Sequence, residues 1–303
     1  MAARGRGADV TRVIVNPAAA NGGALRRLNG LRARLETAFG PLDWRVTQRA
    51  EEITALARGA ADAGHPQVLV AGGDGSVHFA ANGVAGSPTA LAIVPVGTGN
   101  DVAVSVGLPT DPERALEVLA ERHVRAIDVG AVGDRVYVCV LGVGLDTPAL
   151  HLLERLRAFG RSRVLYSYAA LHTLVTYRPR AIAVTHAHGR VELPVAFAAV
   201  TNTQTYAGGM RICPAARVDD GLLDLCVIAG QPWPRLLRLF RRVVAGRHAG
   251  RPGVLLAQTP WVRFESREPV PITLDGELTP LSIPLEVRAR PGALRVLGGK
   301  THG

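Results

Sequence analysis

Val68-Leu69-Val70-Ala71 is an unbroken apolar run that leads straight into Gly72-Gly73-Asp74-Gly75-Ser76. Four such residues in a row predict a strand buried on both faces, the habit of a parallel sheet covered by helices. The glycines lack a Cβ, so Gly72, Gly73 and Gly75 are free to take positive φ and to bring backbone amides close to a ligand. Such amides at the start of a helix form a concave anion site. Asp74 places a carboxylate where an anion would bind. It fits there if a divalent cation lies between the two, or if it accepts a proton.

The pattern recurs one βα unit later. Leu91-Ala92-Ile93-Val94-Pro95-Val96 predicts a second buried strand, followed by Gly97-Thr98-Gly99-Asn100-Asp101. Ligands of open α/β sheets bind outside the carboxyl ends of the strands, so the two loops can face one nucleotide. Upstream, Thr11 to Val15 predicts a strand ending at Asn16-Pro17, Leu25 to Phe39 a helix, Trp44 to Thr47 a strand and Ile53 to Ala63 a helix. Pro112 to Arg122 predicts a further helix with Asp111 as N-cap. The alternation predicts an α/β domain over residues 10–125 with a mainly parallel sheet.

Near Val124 the texture changes. Ala126 to Gly130 and Arg135 to Leu141 are short β runs, and His151 to Tyr177 is helical with a break expected at Phe159-Gly160. Further strands are expected at 181–185, 191–201, 223–228, 254–257, 261–265, 272–274 and 285–289. Many strands at short spacing predict a β-sandwich over 126–290.

GGDGS, then Asn82-Gly83, then PVGTGND resemble the diacylglycerol kinase catalytic family, which includes bacterial lipid kinases and sphingosine kinases. GGDG is shared with NAD kinases and phosphofructokinases; PVGTGND narrows the resemblance to lipid kinases. The resemblance spans nearly the whole chain. It implies a Rossmann-like, NAD kinase-like α/β domain followed by a β-sandwich, an active site in the cleft between them, and a last segment, 291–303, that returns to the first domain. It implies ATP as phosphoryl donor and Mg²⁺ as cofactor. Nucleotide contacts are implied for Asn16, Thr47, Gly72, Gly73, Asp74, Gly75, Ser76, Gly97, Thr98, Gly99 and Asn100. Leu274-Asp275-Gly276-Glu277 is similar to the family's Asp-Gly-Glu motif, which makes Glu277 the implied proton acceptor, with Asp74 as its partner or as ligand to a second ion. The segment from Val218 to Asp224 is similar to the family's metal segment. Asp220 is the implied Mg²⁺ ligand, with the backbone carbonyls of Arg217 and Leu222, and with Asp101 and Asp128 joined to the ion through water. Gly142 to Asp146 matches a Gly-rich turn. Taken as residues alone, both acidic tripeptides also read as Asp-Gly turns with solvated acids. The sequence departs from the family where Asn-Glu usually follows the GGDGT threonine. Ser76 keeps the hydroxyl, but His78 and Phe79 stand in those two places. His78 reads as a histidine on the helix surface or as a phosphate neighbour.

A net charge of +10 fits anionic partners, namely a nucleotide or an acidic membrane surface. No zinc-finger spacing or RRM-type motif points to nucleic acid. Lys300 is the only lysine, which excludes a P-loop lysine; phosphate charge must meet arginine, backbone N–H or metal. Cys139, Cys213 and Cys226 fit neither a zinc site nor a redox pair and read as core thiols of a reducing cytoplasm. No run approaches the ~18 apolar residues of a membrane span, and Met1 to Asp9 reads as a disordered start without the apolar core of a signal peptide. A cytoplasmic protein, peripheral at the inner membrane face, is expected. Trp233 to Val244 is amphipathic: Trp233, Leu236, Leu237, Phe240, Val243 and Val244 share one face and Arg235, Arg238, Arg241 and Arg242 the other. That pattern fits a helix lying on anionic lipid or one packed on the sandwich. Arg155, Arg157, Arg161 and Arg163 leave the preceding helical stretch with the same two readings. The expected function is an ATP-dependent lipid kinase acting on the hydroxyl of diacylglycerol or a related lipid. The rival readings are an NAD kinase-like enzyme and a catalytically weakened nucleotide- or lipid-binding regulator, which Phe79 favours. A homodimer is compatible with the sequence.

Overall fold

A computed structural model describes residues 10–156 and 163–299. Met1 to Asp9, the expected break at Phe159-Gly160, and Arg157 and Arg161 lie outside the described residues. The chain forms two compact units: one runs to Val129 and resumes at Arg290, and the other is Gly130–Ala289.

The first unit is an open α/β sheet. Its strands are β1 (Thr11–Val15), β2 (Leu42–Val46), β3 (Gln67–Gly72) and β4 (Ala90–Pro95). They pair in parallel in the order β2-β1-β3-β4. Every residue of β3 and β4 is buried, as their continuous apolar runs require. Helices α1 (Ala24–Phe39), α2 (Glu52–Asp62), α3 (Asp74–Val84), α4 (Asp101–Ser105) and α5 (Pro112–Ala120) make the connections. α1 buries Ala24, Leu28, Leu31, Leu35 and Phe39, a stripe at helical spacing. The Asp111 side chain caps α5 by accepting from the Arg114 amide. From β1 the chain goes to one side for β2 and to the other for β3 and β4. The ends of β1 and β3 therefore flank a topological switch point, where open α/β sheets bind ligands.

β5 (Val124–Val132) leaves this unit and β15 (Leu285–Leu297) re-enters it, with Val296 opposite Leu91 of β4 in parallel register. Asp128 of β5, almost fully buried, accepts from the Gly292 amide of β15 at 2.8 Å.

The second unit is a β-sandwich. Its strands are β6 (Arg135–Tyr137), β7 (Val140–Gly144), β8 (Arg180–His186), β9 (Gly189–Thr201), β10 (Leu223–Ala229), β11 (Val254–Thr259), β12 (Trp261–Glu265), β13 (Val270–Leu274) and β14 (Glu277–Ile283). β9 serves both layers. Residues 189–195 pair with β8, which pairs in turn with β12, and β12 with β15. Residues 197–201 pair with β7 on one side and β10 on the other, extending to β13-β14 and to β11. A strand that passes from one layer into the next makes a corner without breaking its ladder. Between the layers lie Leu141, Val143, Ile182, Val184, Val200, Leu225, Phe264 and Ile272, all fully buried. Each contributes about 1.5–3 kcal/mol by leaving water. Helices α6 (Asp146–Leu156), α7 (Arg163–Thr176) and α8 (Trp233–Val244) complete the unit. The Gly142–Asp146 segment is the end of buried β7, a one-residue turn at Leu145 after Gly144 with φ 100°, and the first residue of α6. Among the described residues no helix is long and apolar enough to cross a membrane. All three cysteines are free and buried.

Candidate active site

Two glycine loops meet outside the carboxyl ends of β3 and β4. A Cβ on Gly97 would stand 2.3 Å from the Gly73 Cα, so the loops touch backbone to backbone. A Cβ on Gly72 would collide with the Ser76 side chain at 2.2 Å. The glycines are there for close approach. The expected positive φ does not occur at Gly72, Gly73 or Gly75: Gly73 has φ −108° and Gly75 is helical. The left-handed residue is Asn100, with φ 60°. It closes the second loop by accepting from the Gly97 amide and donating to the Gly97 carbonyl, both at 3.1 Å. Asparagine tolerates this conformation better than most residues.

Side chains lock the loops together. Asp74, the first residue of α3, accepts from the Val102 amide of α4 at 3.0 Å. Ser76 is buried, and its hydroxyl accepts from the Asn16 side chain at 3.1 Å, which ties the end of β1 to α3. Thr47 is buried and donates to the Val15 carbonyl. Thr98 is exposed at the second loop, flanked by half-buried Gly97 and Gly99. The cradle is therefore backbone held by an inner layer of Asn16, Thr47, Asp74, Ser76 and Asn100. Asp101 follows directly, buried at the start of α4. His78 is not on the helix surface as expected. It is buried, with its ring edge-on to Phe79 at 5.2 Å. α2 crosses α3 so closely that a Cβ on Gly83 would reach Ala57 at 2.7 Å, which leaves α3 little exposed surface.

In the second unit, Asp275 and Gly276 form the two-residue turn between β13 and β14, with φ of 51° and 80°. Those signs mark a type I′ hairpin turn, which suits Asp-Gly. The two acids of the motif have different jobs. Asp275 is buried and accepts from the Val138, Cys139 and Val140 amides at 2.7–2.9 Å. Its own amide donates to the Val140 carbonyl. Glu277 is half-buried, opposite Leu274 across the hairpin. The turn is bolted down by one carboxylate and presents the other.

The Asp220 segment carries an exposed turn at Gly221, with φ 77°. Asp220 accepts from the Leu222 amide at 3.0 Å and from the Gln258 side chain at 3.4 Å. Arg217 pairs with Asp219. Sequence reasoning passed over Asp224 as a site residue. It is buried in β10 opposite Gln258 of β11, and its Oδ2 has no hydrogen-bond partner. Burial, with the Asp220 charge adding to it, raises its carboxyl to about 6 against the Gln258 hydrogen bond. A lone acid in the otherwise apolar LDLCVIA strand was the available signal. Among the described residues no three His, Cys, Asp or Glu side chains group as metal ligands.

Asp146 was likewise seen only as the end of a glycine motif. Its carboxylate accepts from the Tyr206 hydroxyl at 2.6 Å and the Thr273 hydroxyl at 3.3 Å. Gly142 makes the room, since a Cβ there would lie 2.1 Å from Asp146 Oδ2. Burial raises the carboxyl from 3.8 to about 6, against the lowering effect of both hydrogen bonds. A raised carboxyl stabilises the fold fully below its unfolded value, and that contribution is lost as pH rises through about 6. The ionised form costs up to about 3 kcal/mol above that pH, taking 1.36 kcal/mol per pKa step. Asp146→Asn is expected to melt several degrees above wild type at pH 8 and level with it near pH 4. A melting difference that is the same at both pH values would refute this.

A family model described as the diacylglycerol kinase catalytic domain matches residues 11–132, and one described as the YegS C-terminal NAD kinase beta sandwich-like domain matches residues 139–298. A protein of Mycobacterium tuberculosis named diacylglycerol kinase is 31% identical over 297 residues, covering 96% of this chain and 95% of that protein. A Chromohalobacter salexigens protein named probable lipid kinase YegS-like is 32% identical over 254 residues, 80% of each chain. A crystal structure of a diacylglycerol kinase from Bacillus anthracis shares the fold, with a TM-score of 0.75 at 20% identity, over 96% of this chain and 97% of that one. The α/β unit with its paired glycine loops, the sandwich with its Asp-Gly-Glu hairpin, and these likenesses together place the chain in the diacylglycerol kinase family of lipid kinases.

Proposed function

We propose that this protein transfers the γ-phosphoryl group of ATP to the hydroxyl of diacylglycerol or a closely related lipid, at an anionic inner-membrane surface. The observation that carries the reading is the pair of glycine loops in backbone contact beside the β1/β3 switch point. Phosphoryl transfer asks mainly for positioning and charge neutralisation. A backbone cradle at the start of α3 supplies the first without a lysine. Glu277 is the proposed acceptor of the hydroxyl proton, and Asp74 the proposed second acid, fixed through the Val102 amide. Mg²⁺ would offset phosphate charge or steady the site. Asp220, the Arg217 and Leu222 carbonyls and the orphaned Asp224 oxygen are an all-oxygen set of the kind this ion takes. Asp101 and Asp128 are proposed to support the ion network through water.

The test is transfer of label from [γ-³²P]ATP with Mg²⁺ into a panel of lipids in mixed micelles, with NAD as soluble acceptor. Label in diacylglycerol or a related lipid is the expected result. Label in NAD alone would move the activity to the NAD kinase reaction, and ATP binding without transfer would make the protein a regulator.

A further inference from the structure

The amphipathic arc of α8 is two stripes in the folded unit. Leu236, Leu239 and Val243 are buried. Trp233, Phe240 and Val244, at i, i+7 and i+11, share one azimuth and are exposed at 49%, 38% and 46%. Three large apolar side chains along a free helix face need an explanation. Beside them the helix turns a row of arginines outward. Arg238, Arg241, Arg242 and Arg247 line a depression of about 420 Å³, and Arg235 and Arg251 extend the basic surface into a second. From Leu225 to Phe264 the sequence has no Asp or Glu. Among the described residues no ion pair engages the α8 arginines. α7, packed against α8, adds the exposed side chains of Tyr168, Leu171 and Val175.

We propose that α8 is the docking element for an anionic lipid bilayer, with Trp233, Phe240 and Val244 entering the acyl boundary and the arginine depression holding lipid phosphates. A bilayer satisfies both halves of the surface at once. A second copy of the chain does not, because pairing this helix with its own image sets arginine rows against each other. A nucleic acid would meet the arginines and leave the aliphatic part of the stripe uncovered. The inference rests on the reading that the acceptor is a membrane lipid.

The experiment is co-sedimentation of the full chain with vesicles of phosphatidylglycerol and phosphatidylcholine in equal parts, with phosphatidylcholine vesicles alone, and with a labelled oligonucleotide. Turnover of a monomeric short-chain diacylglycerol is measured in parallel. Wild type is expected to bind the anionic vesicles and not the neutral ones. Each arginine near such a surface is worth roughly fivefold in affinity, so the double variant Arg238→Glu and Arg241→Glu should lose on the order of a hundredfold or more. Phe240→Ser should lose about tenfold. Both should turn over the short-chain substrate at the wild-type rate, and the arginine variant should keep the wild-type melting temperature. Vesicle binding unchanged in both variants would overturn the role of α8 and leave the kinase reading intact. Oligonucleotide binding without vesicle binding would overturn it in favour of nucleic acid. Binding that requires α8 with no phosphorylation of any diacylglycerol would sink the kinase reading and keep the docking surface.

Discussion

Glu277→Gln is expected to lower kcat for lipid phosphorylation by about 10²–10⁴, the usual worth of a positioned general base. The amide keeps the size and shape of the side chain, and loses its charge and the capacity to take a proton. The fold should not notice. Glu277 lies just past the turn, and the turn is held by its neighbour: Asp275 takes three backbone amides, and its own N–H reaches the Val140 carbonyl. Those bonds fix Gly276 and the first residue of β14 whatever the side chain at 277. The variant should therefore melt with wild type and bind ATP with the same Kd, while turnover collapses. A loss confined to kcat would identify an interaction made only as the hydroxyl attacks. Turnover within a few-fold of wild type would remove Glu277 from the chemistry and leave the hairpin as a structural feature. A joint fall in melting temperature and activity would show that Glu277, like Asp275, is part of the bolt.

The same hairpin shows how far a sequence can be read. Leu274-Asp275-Gly276-Glu277 announces a turn because Asp-Gly supplies both positive φ values cheaply. Which of the two acids binds the backbone depends on amides at 138–140, some 135 residues away, and no local pattern carries that. The α/β half was legible for a related reason. β3 and β4 are buried at every position and apolar from Val68 and Ala90 onward, and a run buried on both faces needs no knowledge of its neighbours to be recognised. Of the two uses that glycine allows in these loops, positive φ is a local property and is absent, while close backbone approach is a tertiary one and appears as the near-collision of Gly73 with Gly97. His78 was placed on the surface since a histidine three residues from Gly75 carries no mark of how tightly α2 crosses α3. For α8, a 100° period gives the width of the apolar arc and not the part of it that the sandwich covers.

Gly97→Ala is expected to abolish ATP binding at ordinary concentrations, and it tests the contact on which the proposed nucleotide site depends. The added methyl would stand 2.3 Å from the Gly73 Cα, 2.9 Å from its N and 2.8 Å from Asn100 Oδ1. None of these neighbours can swing aside. Gly73 is pinned between β3 and α3, and Asn100 is held by its two bonds to Gly97. The loops must part by more than 1 Å, so relief comes at the expense of the Asp74 bond to Val102 and of the Asn100 closure. Overpacking costs about 1–3 kcal/mol, and each lost hydrogen bond about 1 kcal/mol more. A melting temperature lower by ten degrees or more would follow, with the protein still folded at 20 °C. A displacement of about 1 Å in a positioning group costs on the order of a hundredfold, and here every amide of the cradle moves at once. Calorimetric titration with ATP and Mg²⁺ gives the decisive number. A Kd raised a hundredfold or beyond detection would make the backbone contact a condition of nucleotide binding. A wild-type Kd in a protein that melts early would show that the loops pack for stability alone and that the nucleotide is held elsewhere.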